Sequence, residues 1–205
     1  MELWQIEERY RAHRPTLQGA RGEYAVLVPL VRRDDGLHLL YEVRASSLRS
    51  QPGEVCFPGG RMEPGETPVG CALRETGEEL GLSAGIQVIS PLDYLIRGTG
   101  IVYPILAAVT ESAISDLRLN TDEVADIFTV SLSWLRENPP EIYRYTWRPH
   151  PGDFPYEAAG VSSDYPWSPL EVEVPVYRGL PHPLWGMTAR ITARLIEQLY
   201  EKEDS

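Results

Sequence analysis

Three glutamates, Glu75, Glu78 and Glu79, crowd the end of the segment FPGGRMEPGETPVGCALRETGEELGL, residues 57–82. On a helical wheel they share an arc roughly 100° wide. No lysine or arginine is interleaved on that arc. At ~6 Å and an effective dielectric of ~20, each like-charge pair costs roughly 2–3 kcal/mol, less if well solvated. Runs of charge are usually solvated faces. Here a divalent cation is the better account, because it turns the repulsion into binding. Hard cations take carboxylate oxygens and commonly share their site with substrate phosphates. The preceding loops, Pro58-Gly59-Gly60 and Pro64-Gly65, can bring backbone groups close to an anionic ligand or a metal.

The elements that must position these groups follow from local signals. Thr67 is suited to cap a helix whose first residue is Pro68, and Gly81 to end it in a left-handed conformation. Val69, Ala72, Leu73, Thr76 and Leu80 recur at helical spacing and make an apolar stripe beside the acidic arc. Upstream, residues 3–12 read as a short amphipathic helix and 15–22 as a linker. Residues 24–31 and 37–43 are strands joined by a hairpin at Asp34-Asp35-Gly36. Residues 45–53 form an arginine- and serine-rich loop, and 54–57 a short strand into the glycine loop. Downstream, 86–96 and 102–109 are paired strands joined through Gly98-Thr99-Gly100. Further strands lie at 125–130, 142–147 and 171–176, with a helical turn at 133–136. A long helix covers 184–201, and 148–169 is the least regular stretch. The expected fold is α/β (α+β), a mixed sheet with helices on its faces. The expected layout is a helix and linker over 1–22 and one domain over 23–203.

The chain has 205 residues, a net charge of −11 and 42% hydrophobic residues, enough for a core. The negative balance excludes a non-specific nucleic-acid binder, though cations can still mediate polyphosphate binding. No apolar run reaches membrane-spanning length, and the first residues do not resemble a signal peptide. Cys56 and Cys71 lack a CxxC spacing. They read as buried thiols of a reducing compartment, hence a cytoplasmic protein.

The central segment resembles the Nudix box: Gly, five residues, Glu, seven residues, Arg-Glu, two residues, Glu-Glu, one residue, Gly and an apolar residue. Gly60, Glu66, Arg74, Glu75, Glu78, Glu79, Gly81 and Leu82 stand at its positions. Seven fixed residues at roughly 6–7% each match by chance on the order of 10⁻⁸ per start position. Thr76 departs from the aliphatic residue usual there, and can still pack on the stripe. Residues 39–60, LLYEVRASSLRSQPGEVCFPGG, are similar to the motif LLxxRxxxLRxHxGxVxFPGG of coenzyme A pyrophosphatases, with Gln51 in place of the histidine. Residues 119–128 and the Trp185-Gly186-Met187-Thr188-Ala189 segment are similar to that branch as well.

The resemblance implies an α/β/α sandwich with the catalytic loop and helix on one face. It also implies Mg²⁺ or Mn²⁺ held by Glu75, Glu78 and Glu79, with the Gly60 carbonyl as a further contact. Glu75 and Glu79 would be catalytic, and Arg74 would pair with Glu66 to pin loop to helix. Arg44 and Arg49 are candidate contacts to substrate phosphates. Glu123 is an extra ligand, the general base, or an ordinary strand-entry residue. Thr188 reads as a helix-packing residue, and His13, His38, His150 and His182 form no ligand cluster. Trp147, Tyr156, Tyr165 and Trp167 could stack on an adenine, cover a pantetheine arm, or pack a homodimer.

The implied reaction is hydrolysis of a pyrophosphate in coenzyme A or acyl-CoA, giving 4′-phosphopantetheine and adenosine 3′,5′-bisphosphate. The alternatives are a hydrolase of another nucleoside diphosphate, such as ADP-ribose or a dinucleoside polyphosphate, and a non-catalytic nucleotide-sensing module. The partners expected are a small molecule and neither nucleic acid nor membrane.

Overall fold

The computed structural model describes residues 1–13, 19, 21–98 and 100–201. Its elements are α1 (Leu3–Tyr10), β1 (Gly22–Arg33), β2 (Gly36–Arg44), β3 (Val55–Cys56), β4 (Gly59–Arg61), α2 (Pro68–Leu80), β5 (Ile86–Pro91), β6 (Leu95–Arg97), β7 (Gly100–Val109) and α3 (Glu111–Ser115). There follow β8 (Val124–Ser131), α4 (Leu132–Glu137), β9 (Glu141–Trp147), α5 (Tyr156–Ala159), β10 (Leu170–Tyr177), β11 (Leu184–Trp185) and α6 (Gly186–Tyr200). The expected linker at 14–18 and 20, the turn residue Thr99 and the end at 202–203 lie outside the described residues.

β1 is the spine of the main sheet. It runs parallel to β7 from Gly22↔Gly100 to Val31↔Val109 and antiparallel to β2 across the tight Asp34-Asp35 turn. The sheet order is β3-β2-β1-β7-β5, with β4 on β1, β6 on β7 and β8 on β2. Alternation along β1 assigns its faces. Ala25 and Leu27 pack with Cys71 and Ala72 of α2 and with Ile105 and Ala107 of β7. Val26 and Val28 belong to the opposite cluster with Leu184, Ala189, Ile191 and Leu195 around α6, and Leu132 and Leu135 of α4. Helices therefore cover both faces, which is why β1 and β2 each carry five consecutive buried residues. The expected sandwich with a mixed sheet is the observed one.

α6 is tied down by hydroxyls as well as by apolar packing. Thr188 Oγ1 donates to the Val55 carbonyl at 3.0 Å, Thr192 Oγ1 donates to the Thr188 carbonyl, and the Tyr41 hydroxyl meets Thr192 at 3.0 Å. Thr188 is thus a packing and tethering residue. A second, three-stranded sheet, β11-β10-β9, flanks α6. All seven residues of β9 are exposed. Among the described residues no helix is long and apolar enough to cross a membrane.

Several boundaries differ from the sequence reading. The expected glycine loop at 59–61 is strand β4, because β1 offers ladder positions to it: Ala25 faces Gly60 and Val26 faces Gly59. The expected single strand over 86–96 breaks in two around Pro91, after a register shift between Val88 and Ser90. The last helix starts at Gly186, not Leu184, since Trp185 is extended and Gly186 has φ 65°. α3 and α5 were not foreseen. α1 forms as expected but buries none of its residues.

The caps of α2 are as the sequence requires. Thr67 accepts from the Gly70 N–H at 3.1 Å, and Gly81 lies at φ 68°. A Cβ at Gly81 would stand 2.9 Å from the Arg118 carbonyl oxygen. Gly81→Ala is therefore expected to destabilise the protein by about 1–2 kcal/mol, measured as the shift of the urea midpoint.

Candidate functional site

α2 delivers its acidic face because its other face is fixed. Cys71, Ala72, Thr76 and Leu80 are buried against the sheet. The Thr76 hydroxyl is satisfied by the Ala72 carbonyl one turn back at 2.6 Å, so this departure from an aliphatic residue strands no polar group.

The helix meets β4 with almost no space between them. The Glu79 carboxylate accepts the Gly59 N–H at 2.8 Å. At Gly60 a Cβ would lie 2.3 Å from the Glu75 carboxyl carbon, and at Gly59 (φ 152°) one would lie 2.3 Å from the Ala25 carbonyl oxygen. Both glycines exist for close approach: one faces the sheet, the other a carboxylate. The Gly60 carbonyl accepts from the Cys71 thiol at 3.6 Å.

Arg74 corrects the sequence reading of an uninterrupted acidic arc. Its guanidinium forks onto Glu66 at 3.0 and 3.1 Å and donates to the Arg61 carbonyl at 3.2 Å. It also reaches Glu75 at 2.8 Å and Glu78 at 3.2 Å. Arg74 stands i,i+4 to Glu78 at the edge of the acidic arc, and its long side chain also reaches Glu75. The hydrogen bonds from Arg74 hold the Glu66 carboxyl below the usual carboxylate range.

The carboxylates divide into two environments. Glu78 is exposed, while Glu79 is only 4% exposed. Burial, with Glu42, Glu75 and Glu123 nearby, pushes the Glu79 carboxyl well above its ordinary range. Glu75 moves in the same direction through burial, opposed by Arg74. Glu123 is exposed in the turn before β8; its backbone carbonyl accepts from the Ala45 N–H at 2.8 Å, and its charge acts on Glu42, Glu75 and Glu79.

Glu42 is the residue that the sequence reading passed over. It lies on β2 and is 1% exposed. The Cys56 thiol donates to Oε1 at 3.1 Å, while Oε2 is buried without a partner. Burial, together with Glu123 and Glu75, raises its carboxyl. Leaving such an oxygen unpaired costs about 1–3 kcal/mol or more. The sequence signal for it was a glutamate set inside the run Leu39-Leu40-Tyr41-Glu42-Val43, where both strand faces are apolar.

A cavity of about 910 Å³ opens beside this cluster. Glu42, Glu75, Glu78 and Glu79 do not line it, although Glu54 and Glu173 do; it meets the cluster along Cys56, Gly59 and Gly60. Arg21, Arg44, Arg61 and Arg190 line it, as do Tyr145 and Trp185. Arg44 was expected here and is present. Arg49, its expected partner, is exposed and is not part of the lining. Of the aromatics, Tyr156, Tyr165 and Trp167 pack edge-to-face with one another or with Phe154, at centroid distances of 5.0–5.3 Å. They form their own cluster, and neither they nor the exposed Trp147 line the cavity. Arg21, Arg61 and Arg190 come from separate parts of the chain; Arg61 adjoins Gly60 in the box segment, but only the assembled sheet and α6 bring the three to one cavity.

The donor chemistry fits a divalent cation. Hard carboxylate oxygens from three elements are crowded in a low-dielectric setting, and one of them, on Glu42, is buried without a partner. Among the described residues no three acidic, His or Cys side chains yet converge at coordinating distance. Arg74 holds Glu75 and Glu78, and the Gly59 N–H holds one oxygen of Glu79.

A family model described as NUDIX domain matches residues 23–149, so the chain belongs to that family. The mitochondrial coenzyme A diphosphatase NUDT8 of Mus musculus is 35% identical over 181 residues, 85% of this chain and 77% of that protein. The peroxisomal coenzyme A diphosphatase NUDT7 of the same species is 36% identical over 124 residues, 59% of this chain and 51% of that protein. The chain thus spans about half the length of some curated relatives it matches. A MutT/nudix family protein from Enterococcus faecalis, 17% identical, has the same fold, with a TM-score of 0.56 over 98% of this chain and 71% of that one.

Gly60→Ala would drive a methyl into the Glu75 carboxyl. We expect it to lose about 1–3 kcal/mol through overpacking, seen as a lower urea midpoint, whereas Gly65→Ala, with open space around it, loses only what its positive φ demands.

Proposed function

We propose that the protein hydrolyses the pyrophosphate of coenzyme A or acyl-CoA with the help of Mg²⁺ or Mn²⁺. The observation that carries this reading is the joining of two surfaces along Gly59 and Gly60: a carboxylate cluster on one side and an arginine-lined cavity on the other. The likeness of residues 39–60 to coenzyme A pyrophosphatases and the names of the mouse relatives support the substrate.

Water adds to one phosphorus, the bridging P–O bond breaks, and the products are 4′-phosphopantetheine, or its acyl form, and adenosine 3′,5′-bisphosphate. A bound divalent cation neutralises phosphate oxygens and makes water more acidic. In this reading Glu75, Glu78 and Glu79 hold the cation, with Gly60 offering its carbonyl. Arg74 and Glu66 keep β4 and α2 in register. Arg44 binds phosphate from the cavity wall, and Tyr145 and Trp185 give the remainder of the substrate an apolar surface. Glu123, whose charge acts on Glu42, Glu75 and Glu79, is the candidate for the base or a further ligand. A reducing compartment suits the two free thiols.

Incubation with coenzyme A and Mg²⁺ or Mn²⁺ should give the two products in equal amounts by mass spectrometry, and chelation by EDTA should stop it. Turnover of ADP-ribose or a dinucleoside polyphosphate without coenzyme A hydrolysis would transfer the assignment to those substrates. No turnover of any of them would leave a binding module. Glu79→Gln is expected to reduce kcat by at least about 10²-fold with an unchanged circular dichroism spectrum. Arg44→Ala should raise KM several-fold more than it lowers kcat.

A further inference from the structure

We propose that Glu42 supplies a carboxylate oxygen from the sheet to the cation-binding cluster of α2. This rests on the reading that the site takes a divalent cation, and it adds a donor outside the box segment. Three observations carry it. Glu42 is 1% exposed in the buried run of β2, where an apolar side chain would pack without cost. Its two oxygens are treated differently: Oε1 is held by the Cys56 thiol at 3.1 Å, and Oε2 has no partner. Three acids surround it against one base: beyond burial, Glu123 and Glu75 raise its carboxyl, Arg44 opposes them, and its own charge raises Glu79.

The cation nearest to it in protein terms, Arg44, does not fill the gap. The Arg44 Nε instead donates to the Ser50 carbonyl at 3.4 Å. The Cys56 thiol is kept protonated by burial and by the adjacent Glu42 charge, so it acts as a donor and holds the carboxyl group by one oxygen only. A buried acid fixed in this way and set beside Glu79 has the properties of a preorganised hard ligand. The chain path agrees. Glu42 pairs with Cys56 in the ladder, and three residues on, Gly59 donates its N–H to Glu79. The acid on β2 and the acid on α2 are thus attached to the same short segment.

The test is substrate-free Mn²⁺ binding, followed by loss of the free Mn²⁺ electron paramagnetic resonance signal, together with the rise in Tm on adding Mn²⁺. Wild type, Glu42→Gln and Glu42→Asp are compared. We expect both variants to bind Mn²⁺ at least about tenfold more weakly and to lose most of the Mn²⁺-induced rise. The metal-free Tm of Glu42→Gln should equal or exceed that of wild type, because an unpartnered acid has been neutralised. Glu42→Gln binding Mn²⁺ within about twofold of wild type would overturn the assignment and leave Glu42 a structural acid. If Glu42→Gln does not fold, Glu42→Asp decides by the same criterion, since it keeps the charge and retracts the oxygen by one methylene. A wild type that binds no Mn²⁺ overturns both this inference and the cation reading beneath it, whereas absent coenzyme A hydrolysis with intact Mn²⁺ binding bears on the substrate alone.

Discussion

One hydrogen bond organises the site: the Glu79 carboxylate accepting the Gly59 N–H at 2.8 Å. It fastens the end of α2 to β4, and β4 is itself laddered to β1, the spine of the sheet. Neither glycine of β4 tolerates a Cβ: at Gly60 it would meet the Glu75 carboxyl of α2, and at Gly59 the backbone of β1. Side-chain truncation at two positions is therefore the condition for bringing buried acids, a backbone edge and an arginine-lined cavity together. Arg74 does the complementary work by gripping Glu66, the Arg61 carbonyl, Glu75 and Glu78 from one guanidinium.

The two sides of the sheet are stabilised by different means. The α2 face is small and tightly fitted, with Ala25, Ala72 and Ala107 in contact with Leu27, Cys71 and Ile105. Small residues let the helix lie low on the sheet, and that depth brings its acids to β4. The α6 face is larger and aromatic, with Tyr41 stacked between Phe57 and Phe128 at 4.9 and 5.3 Å. Its hydroxyl ties make α6 part of the cavity wall and not merely a lid on the core, since Thr188 reaches Val55 and both line the cavity.

Much of this was legible in the sequence because it is encoded locally. The caps of α2, the Asp34-Asp35 hairpin and the strand at 24–31 are decided by neighbours within a few residues, and they appear where expected. The Glu66–Arg74 pair also follows from the motif. What could not be foreseen depends on distant partners. β4 is a strand only because β1 runs beside it. Arg190 belongs to the cavity only because α6 packs where it does. The reach of Arg74 to Glu75 is set by its rotamer, although its i,i+4 spacing to Glu78 was visible in the sequence. Glu42 was visible as a misfit in an apolar run, but its meaning depended on Cys56 across the ladder and Glu79 from another element. Arg49, which spacing paired with Arg44, is exposed and does not line the cavity.

The direction of α2 has a further consequence. Thr67 and Pro68 begin the helix, and Glu75, Glu78 and Glu79 occupy its last two turns, at the negative pole of its dipole, with no basic residue in the final turn. The peptide dipoles thus add their field to that of the acids. On a chain with a net charge of −11, an anion at this end of the helix meets repulsion, offset by Arg74 on the helix and by the arginines of the cavity. A cation bound at this terminus would offset the acids and the dipole together, so the polarity of one helix joins two sources of negative potential.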